Sequence, residues 1–304
     1  PEERTSPKPV RNAVLALFAG LFLGVLIALA RDQLVPRLRD AREVGRVTDM
    51  PVLVEVPHVG SSRRRRPLLF AAENEAYQAL RTAVELAMPA DQQRTLLVTS
   101  ALHGEGKTTV TARLGTALAQ AGHKTLLVSA DLRRPELHKR FGLTPGAGFG
   151  EVLAELQTGK AASAENLLRA SLQEVRLPAR RRMLAPLEVL LSGMGGSDAS
   201  TLLSMESIRA FLRLCRRLDH RYVLLDAPPL LGLSDTQVMA QAVDALLVVS
   251  RLDRITIDRT VDLREALRRV ESNPLGLVVI GGRTETSPYY LPDPQIPREE
   301  RALR

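Results

Sequence analysis

The sequence predicts an α/β protein whose mostly parallel sheet is flanked by helices and preceded by one transmembrane helix. Short aliphatic runs alternate with segments of helical periodicity over residues 71–283, and this alternation is typical of a parallel sheet with helices on both faces. The runs are continuously apolar, as strands buried on both faces are. A charge-free stretch at residues 12–30 adds the membrane segment. With 304 residues and 45% hydrophobic content, the chain can bury one large core.

Residues 12–30 are long and apolar enough to cross a bilayer, which takes about 20 residues. A secretory signal sequence would be shorter and would end in a small-residue cleavage site, and a core helix would show a polar face. Neither alternative fits this stretch well. A transmembrane helix is therefore predicted.

Basic residues are concentrated on the carboxyl side of this predicted span. Residues 31–70 contain many arginines, including the unbroken run at 63–66, and are predicted to form a basic juxtamembrane linker. Because the more basic side of a span stays in the cytoplasm, residues 1–11 are predicted to be an extracytoplasmic flank of a cell (inner or plasma) membrane protein. The domain that follows the linker is then predicted to be cytoplasmic. The arginine run is explained equally well by contact with anionic membrane lipids and by a solvated linker.

The period of the apolar residues and the turn residues between them predict the remaining elements. Helices are predicted at 71–88, 108–121, 201–218 and 256–270, with a helical excursion at 137–174. Strands are predicted at 94–99, 125–129, 187–191, 221–225, 244–250 and 275–280. Residues 71–283 are thus expected to form one domain, followed by a tail of tyrosine and proline residues at 284–304.

A glycine-rich loop joins the first of these strands to the helix that follows it. This order directs backbone N–H groups and the positive end of a helix towards one point, where polyphosphate is favoured. Gly104 and Gly106 would let the backbone approach phosphate closely. Lys107 would reach the β- and γ-phosphates, and the Thr108 hydroxyl would bind Mg²⁺. The predicted ATP-binding residues are His103, Gly104, Glu105, Gly106, Lys107, Thr108 and Thr109.

Two later strands end in aspartates, Asp131 and Asp226. Ligands of such sheets bind beyond the carboxyl ends of the strands, so both carboxylates are expected beside the glycine-rich loop. There they can hold Mg²⁺ or accept a proton from an attacking hydroxyl. One aspartate in such a place is more often a helix cap or turn former, but two of them downstream of Gly-Lys-Thr favour a site. The predicted catalytic residues are Lys107, Asp131 and Asp226, and the predicted metal ligands are Thr108, Asp131 and Asp226.

These three segments resemble the Walker A, Walker A′ and Walker B motifs of the bacterial tyrosine kinases that govern capsule and exopolysaccharide assembly. They read Gly-Glu-Gly-Lys-Thr-Thr, Asp-Leu-Arg-Arg-Pro and Asp-Ala-Pro-Pro, and the likeness extends over nearly the whole chain. The resemblance implies the fold of a P-loop NTPase and the binding of ATP and Mg²⁺. It further implies an autophosphorylating protein-tyrosine kinase that regulates polysaccharide polymerisation and export.

The resemblance also implies partners. Residues 75–82 are similar to the helix through which that family self-associates, with Glu75 and Arg81 as the oligomer contacts. The other implied partners are the polysaccharide polymerase and export machinery and a tyrosine phosphatase. The chain begins with proline rather than methionine, and the segment Ser6-Pro7-Lys8-Pro9 resembles the family's sequence before a second span. The resemblance therefore also implies a longer protein whose preceding region holds a first span and an extracytoplasmic chain-length domain.

The chain has four tyrosines, which differ as phosphate acceptors. Tyr289 and Tyr290 are similar to the family's C-terminal tyrosine cluster, and prolines on both sides favour a tail that can enter a neighbouring copy's active site. The alternative is that the two rings dock the tail onto the domain. Tyr222 lies in the apolar strand that leads to Asp226, where a phosphate would be a buried double charge, and Tyr77 lies on the association helix. Both are therefore predicted to be poor acceptors.

Three positions depart from the family's pattern. Ser129 replaces the first acidic residue of the A′ motif, which removes a negative charge near the metal. Gln78 replaces a second basic residue of the association helix, and no asparagine lies near Ile280 to read adenine. A catalytically weak, ATP-dependent assembly and scaffold protein is therefore the alternative function. A partition or cell-division ATPase of the same superfamily is a third, which the predicted span disfavours.

Composition excludes several other classes. The formal charge of +8 would suggest nucleic acid, but the basic residues cluster next to the span, and 3% aromatic content without tryptophan offers little base-stacking surface. No nucleic-acid partner is therefore expected. Cys215 is the only cysteine, which excludes an internal disulfide and a thiolate metal cluster.

Overall fold

The computed structural model describes residues 9–34, 38, 40–57, 67–88, 92–177, 185–193, 199–270 and 272–281. The chain divides into two compact units, residues 1–37 and residues 38–304. The first unit contains helix α1 (Pro9–Leu34). Its segment Val10–Ile27 has a mean hydropathy of 2.1 and no buried residue, and among the described helices it alone is long and apolar enough to cross a membrane.

The second unit alternates strands with helices. Its strands are β1 (Val52–Val56), β2 (Arg94–Ser100), β3 (Thr125–Ser129), β4 (Leu172–Val175), β5 (Leu187–Leu190), β6 (Tyr222–Asp226), β7 (Ala245–Arg251) and β8 (Pro274–Ile280). Its helices are α2 (Ala41–Thr48), α3 (Pro67–Ala87), α4 (Lys107–Gln120), α5 (Leu137–Phe141), α6 (Phe149–Gln157), α7 (Ala161–Ser171), α8 (Ala199–Leu202), α9 (Met205–Cys215), α10 (Ser234–Ala242) and α11 (Ile257–Arg269).

The strands form one sheet in the order β1-β8-β7-β2-β6-β3-β5-β4. Every pairing is parallel except that of β4 with β5, which is antiparallel. This confirms the predicted α/β fold with a mostly parallel sheet. β2 lies between β6 and β7, so the strands that lead to the glycine-rich loop and to Asp226 are direct neighbours.

Apolar side chains cover both faces of this sheet. β3 and β6 are buried along their whole length, as their uninterrupted aliphatic runs predict. One core cluster includes Leu97, Phe149 and Phe211, and the other, on the opposite face, includes Leu80, Leu96 and Leu114. The two phenyl rings of the first cluster meet edge to face, with centroids 4.8 Å apart. The sheet is therefore held between two helical layers.

The predicted juxtamembrane linker is wrong over part of its length, because residues 38–57 fold with the second unit. Asp40 caps α2 through a side-chain hydrogen bond to the Arg42 N–H, and β1 pairs with β8 at the sheet edge. A helix of eight residues is too short for its periodicity to stand out from a basic segment. The predicted domain start at residue 71 therefore lies inside this unit. Residues 63–66 and the tail at 284–304 lie outside the described residues.

The helical excursion predicted at 137–174 contains three helices, α5 to α7, and ends in strand β4. The sequence Leu-Gln-Glu-Val of β4 offers too few residues to distinguish a strand from a helical turn. Cys215 is buried at the end of α9 as a free thiol. Burial raises the pKa of this thiol far above its ordinary value, so it is unreactive.

Candidate nucleotide site

The glycine-rich loop leaves the carboxyl end of β2 and opens α4 at Lys107. Gly104 (φ 79°) and Gly106 (φ 102°) adopt left-handed conformations that side chains disfavour. A Cβ atom at Gly106 would also lie 2.7 Å from Cδ1 of Ile280. Glycine is therefore needed here for conformation and for space. The loop leaves the first N–H groups of α4 without helical partners, which is the arrangement that binds phosphate.

The buried side chain of Glu105 fixes the glycine-rich loop by hydrogen bonds. Its carboxylate accepts hydrogen bonds from the Leu102 N–H (2.6 Å) and from the Arg251 N–H at the end of β7 (3.3 Å). Burial raises the pKa of Glu105 to about 7, although these N–H groups and the Arg254 guanidinium act in the opposite direction. The side chain of Glu105 therefore ties the loop to β7, and the contact of this residue with nucleotide stays a prediction.

Lys107 lies buried between the two predicted aspartates. Its ammonium donates a hydrogen bond to Oδ2 of Asp131 at 2.8 Å and lies 4.0 Å from Oδ1 of Asp226. All three side chains are at least nine-tenths buried. The three residues predicted as catalytic are thus brought together at the carboxyl edge of the sheet.

Asp226 and Ser129 lie side by side, because they are register partners in the β3–β6 pairing. Both carboxylate oxygens of Asp226 and the hydroxyl of Ser129 are buried without a hydrogen-bond partner among the described residues. Burial raises the pKa of Asp226 to about 6 against the opposing effect of the Lys107 ammonium. Unsatisfied buried oxygens beside the buried Thr108 fit Mg²⁺, which takes one or two carboxylates together with substrate phosphates.

The segment after Asp131 is braced by contacts that the sequence alone did not indicate. Oδ1 of Asp131 accepts a hydrogen bond from the Arg134 N–H at 3.0 Å. The Arg133 guanidinium donates from Nε (3.0 Å) and Nη2 (2.9 Å) to Oδ2 of the buried Asp235. Asp235 lies in the first turn of α10, so this pair of hydrogen bonds to one oxygen connects the A′ segment to the helix that follows the Walker B segment.

The segment after Asp226 is held in a similar way. The Pro228 carbonyl accepts hydrogen bonds from the hydroxyls of Thr99 (2.7 Å) and Thr236 (2.9 Å). The Ala227 N–H donates to the Val98 carbonyl at 3.0 Å. The chain that carries Asp226 is thereby fixed to β2 and to α10, which limits how far its carboxylate can move.

The other predicted site residues are placed as follows. His103 and Gly104 are exposed at the loop, and Thr109 is half-buried in α4. Glu75 is exposed on α3, whereas Arg81 is half-buried with its Nε 3.6 Å from Oε1 of Glu85. Tyr289 and Tyr290 lie outside the described residues. The remaining tyrosines, Tyr77 and Tyr222, are 3% and 1% exposed.

Comparison with known proteins agrees with this geometry. Residues 96–279 match the CobQ/CobB/MinD/ParA nucleotide binding domain. The chain is 30% identical to the tyrosine-protein kinase YwqD of Bacillus subtilis over 235 residues, a match that covers 75% of this chain and 92% of the relative. It is 27% identical over 266 residues to the tyrosine-protein kinase ptk of Acinetobacter johnsonii, which covers 83% of this chain and 34% of that protein.

The solved structure of the kinase domain of the Escherichia coli tyrosine kinase ETK superposes with a TM-score of 0.67 at 25% identity. The superposition covers 84% of this chain and all of that domain. The chain spans only about a third of the length of the long curated relatives, such as the one from Acinetobacter (34%). The chain belongs to the CobQ/CobB/MinD/ParA nucleotide-binding domain family and, within it, to the bacterial tyrosine-protein kinases.

Proposed function

We propose that the chain is the membrane-anchored, cytoplasmic ATP-binding part of an autophosphorylating tyrosine kinase. The observation that carries this proposal is the buried triad of Lys107, Asp131 and Asp226 at the end of a glycine-rich loop. It combines a cation for phosphate with carboxylates for a metal and for a proton, and these are the parts that phosphoryl transfer uses.

Each residue of the site has a separate role in the proposed reaction. The loop N–H groups and Lys107 would bind the β- and γ-phosphates, and Thr108 and Asp226 would hold Mg²⁺. When bound, Mg²⁺ neutralises the charge that develops on the phosphate oxygens. The tyrosine hydroxyl oxygen forms a bond to the γ-phosphorus while the bond to the bridging oxygen breaks, which releases ADP. Asp131 takes the hydroxyl proton once Lys107 has turned from it to the nucleotide.

Acceptor tyrosines must be able to reach this site. Tyr77 and Tyr222 are enclosed in the core, and burial raises the pKa of both hydroxyls above its ordinary value. We therefore assign the acceptors to Tyr289 and Tyr290 in the C-terminal tail, delivered to a second copy. Glu75 is exposed on α3 and, with Arg81, is proposed to contact that copy.

The proposed setting is the assembly of capsule or exopolysaccharide at the cell membrane. Helix α1 is long and apolar enough to serve as the anchor, and its basic flank favours a cytoplasmic kinase domain and contact with anionic lipids. The polysaccharide polymerase and export machinery and a tyrosine phosphatase are the proposed protein partners.

A second function is favoured by Ser129. Ser129 is the register partner of Asp226, at the position where the resemblance to the family's A′ motif implies a carboxylate. The site would then have one negative charge less for Mg²⁺. In this alternative, ATP and Mg²⁺ drive assembly of the chain into a scaffold of the polysaccharide machinery without efficient phosphorylation of tyrosine.

Phosphopeptide mapping separates these two functions. The full chain in lipid nanodiscs is incubated with ATP and Mg²⁺, alongside Lys107→Met and a Tyr289→Phe/Tyr290→Phe variant. The kinase proposal expects phosphate on Tyr289 or Tyr290 in the parent chain and none on tyrosine in either variant. Saturable ATP binding without phosphotyrosine would instead support the scaffold.

A further inference from the structure

The turn that follows β7 is a rigid structure beside the glycine-rich loop. The Leu252 N–H donates to the Ile280 carbonyl at 3.0 Å, and the N–H groups of Arg254 (3.0 Å) and Ile255 (2.9 Å) both donate to the Arg251 carbonyl. Leu252 and Ile255 are buried. The backbone of Arg254 is therefore fixed, although its side chain is exposed.

This turn is attached to the loop at two points. The first is the hydrogen bond from the Arg251 N–H to Oε1 of Glu105 at 3.3 Å. The second is the Arg254 guanidinium, which lies on Gly104. A Cβ atom at Gly104 would be 2.5 Å from Nη1 and 3.4 Å from Cζ of Arg254. The guanidinium therefore covers the solvent side of the loop, three residues before Lys107.

The acidic side chains around the loop outnumber the buried cation beside them, so a second cation near the loop is electrostatically favourable. Asp131 and Asp226 share one ammonium, that of Lys107, and the buried Glu105 adds a third carboxyl group. Asp253, next to Arg254 in the chain, is paired with Arg251 at 2.6 Å. A triphosphate brings several more negative charges to this edge, and guanidinium groups bind phosphate with two parallel hydrogen bonds.

We propose that Arg254 is a nucleotide-contacting residue whose guanidinium binds the terminal phosphates of ATP from the solvent side of the loop. The inference rests on the proposed nucleotide site. It adds a cation from the turn after β7 to Lys107, the cation that the glycine-rich loop itself supplies. The contact is made to phosphate rather than to the base, because Gly104 belongs to the loop that surrounds the phosphates.

Calorimetric titration of the full chain with MgATP and with AMP tests this proposal. Arg254→Gln should weaken MgATP binding about ten-fold, as expected for loss of a charged hydrogen bond, and leave AMP binding within three-fold. Arg254→Lys should keep part of the affinity because it keeps the charge. Arg259→Gln, which removes an exposed arginine of α11 five residues away, is the matched control and should stay within three-fold of the parent.

Three results would overturn the inference: a loss below three-fold for MgATP in Arg254→Gln, an equal loss in Arg259→Gln, or an equal loss for AMP. The melting temperature of the nucleotide-free Arg254→Gln chain should match the parent, since the side chain is exposed. Failure of the parent chain to bind MgATP at all would instead remove the proposed function. The two failures are therefore distinguishable.

Discussion

At the level of single residues, we expect Lys107 to stabilise the fold of the domain itself, in addition to the phosphate contact proposed for it. Its ammonium lies 2.8 Å from Asp131 and 4.0 Å from Asp226, and both carboxylates are buried. Lys107→Met should therefore destabilise the domain by about 3 to 5 kcal/mol, because it leaves buried carboxylates unpaired. Urea unfolding measures this change.

Lys107→Met combined with Asp131→Asn is the matched variant. The second substitution removes one of the two carboxylates that Lys107→Met leaves without a cation. The double variant should therefore have a higher free energy of unfolding than Lys107→Met alone. An unchanged unfolding free energy in the single variant would show that the ammonium does not neutralise these carboxylates.

Glu105 should make stability fall as pH rises. Its pKa is about 7 in the folded chain against an ordinary value of 4.5, so the folded state holds a proton that the unfolded state has lost. Between these two pH values the contribution of Glu105 to stability falls by about 3 kcal/mol. Glu105→Gln should remove this dependence while adding a constant cost for the imperfect replacement of a carboxylate that accepts two N–H bonds.

Unfolding free energies at pH 5 and pH 8 check this expectation. The decrease between the two pH values should be smaller in Glu105→Gln than in the parent chain. Parallel pH profiles would show that Glu105 ionises with an ordinary pKa.

The sequence predicted which residues meet in the site but not how they pair. The meeting of Lys107, Asp131 and Asp226 follows from strand order, since parallel strands end at one edge of the sheet. The bond from Lys107 to Asp131 and the inward turn of Glu105 depend on rotamers and on burial. Neither contact can be predicted from the local pattern of residue types.

At the level of elements, the amino end of α6 is held against the end of β5 by a close backbone approach. The N–H groups of Phe149 (2.8 Å) and Gly150 (2.9 Å) donate to the carbonyls of Leu191 and Ser192. A Cβ atom at Gly148 would lie 2.1 Å from the Leu191 carbonyl oxygen. Gly148→Ala should therefore destabilise the domain by about 1 to 3 kcal/mol.

Gly146→Ala is the matched control for this prediction, because a Cβ atom there would meet nothing within 4 Å. Thermal unfolding should show a lower midpoint for Gly148→Ala and little change for Gly146→Ala. Equal midpoints in the two variants would mean that the backbone at Gly148 moves aside without cost.

Long elements with a strong pattern were predictable, and short ones were not. β3 and β6 are unbroken aliphatic runs, and their burial on both faces follows from that pattern. β1 has a similar run, Val-Leu-Val-Glu-Val, but the basic composition around it suggested a linker. Its pairing with β8, more than two hundred residues later in the chain, decides the structure there. Such distant pairing cannot be read from a local window.

At the level of the whole molecule, the sheet should need the segment that precedes α3. The Leu277 N–H donates to the Pro51 carbonyl (2.8 Å), the Gly281 N–H donates to the Val56 carbonyl (2.9 Å), and Val56 is buried. A chain that begins at residue 67 loses this edge strand and α2. Its melting temperature should be lower by about 10 °C or more, since several kcal/mol of packing are removed.

A chain that begins at residue 38 is the control, because it lacks only the first compact unit. It should unfold cooperatively with its nucleotide site intact. Equal melting temperatures for the two truncated chains would show that β1 and α2 add nothing to the stability of the sheet.

The bond between Lys107 and Asp131 also has a consequence for ligand selection. A small anion such as inorganic phosphate can bind Lys107 only by leaving Asp131 buried without its cation, which is unfavourable. A nucleotide bound together with Mg²⁺ would supply an anion for Lys107 and a cation for Asp131. We therefore expect the site to discriminate against free inorganic phosphate. Competition titrations should show phosphate displacing nucleotide poorly from the parent chain and better from Asp131→Asn, in which the ammonium of Lys107 has lost its internal competitor.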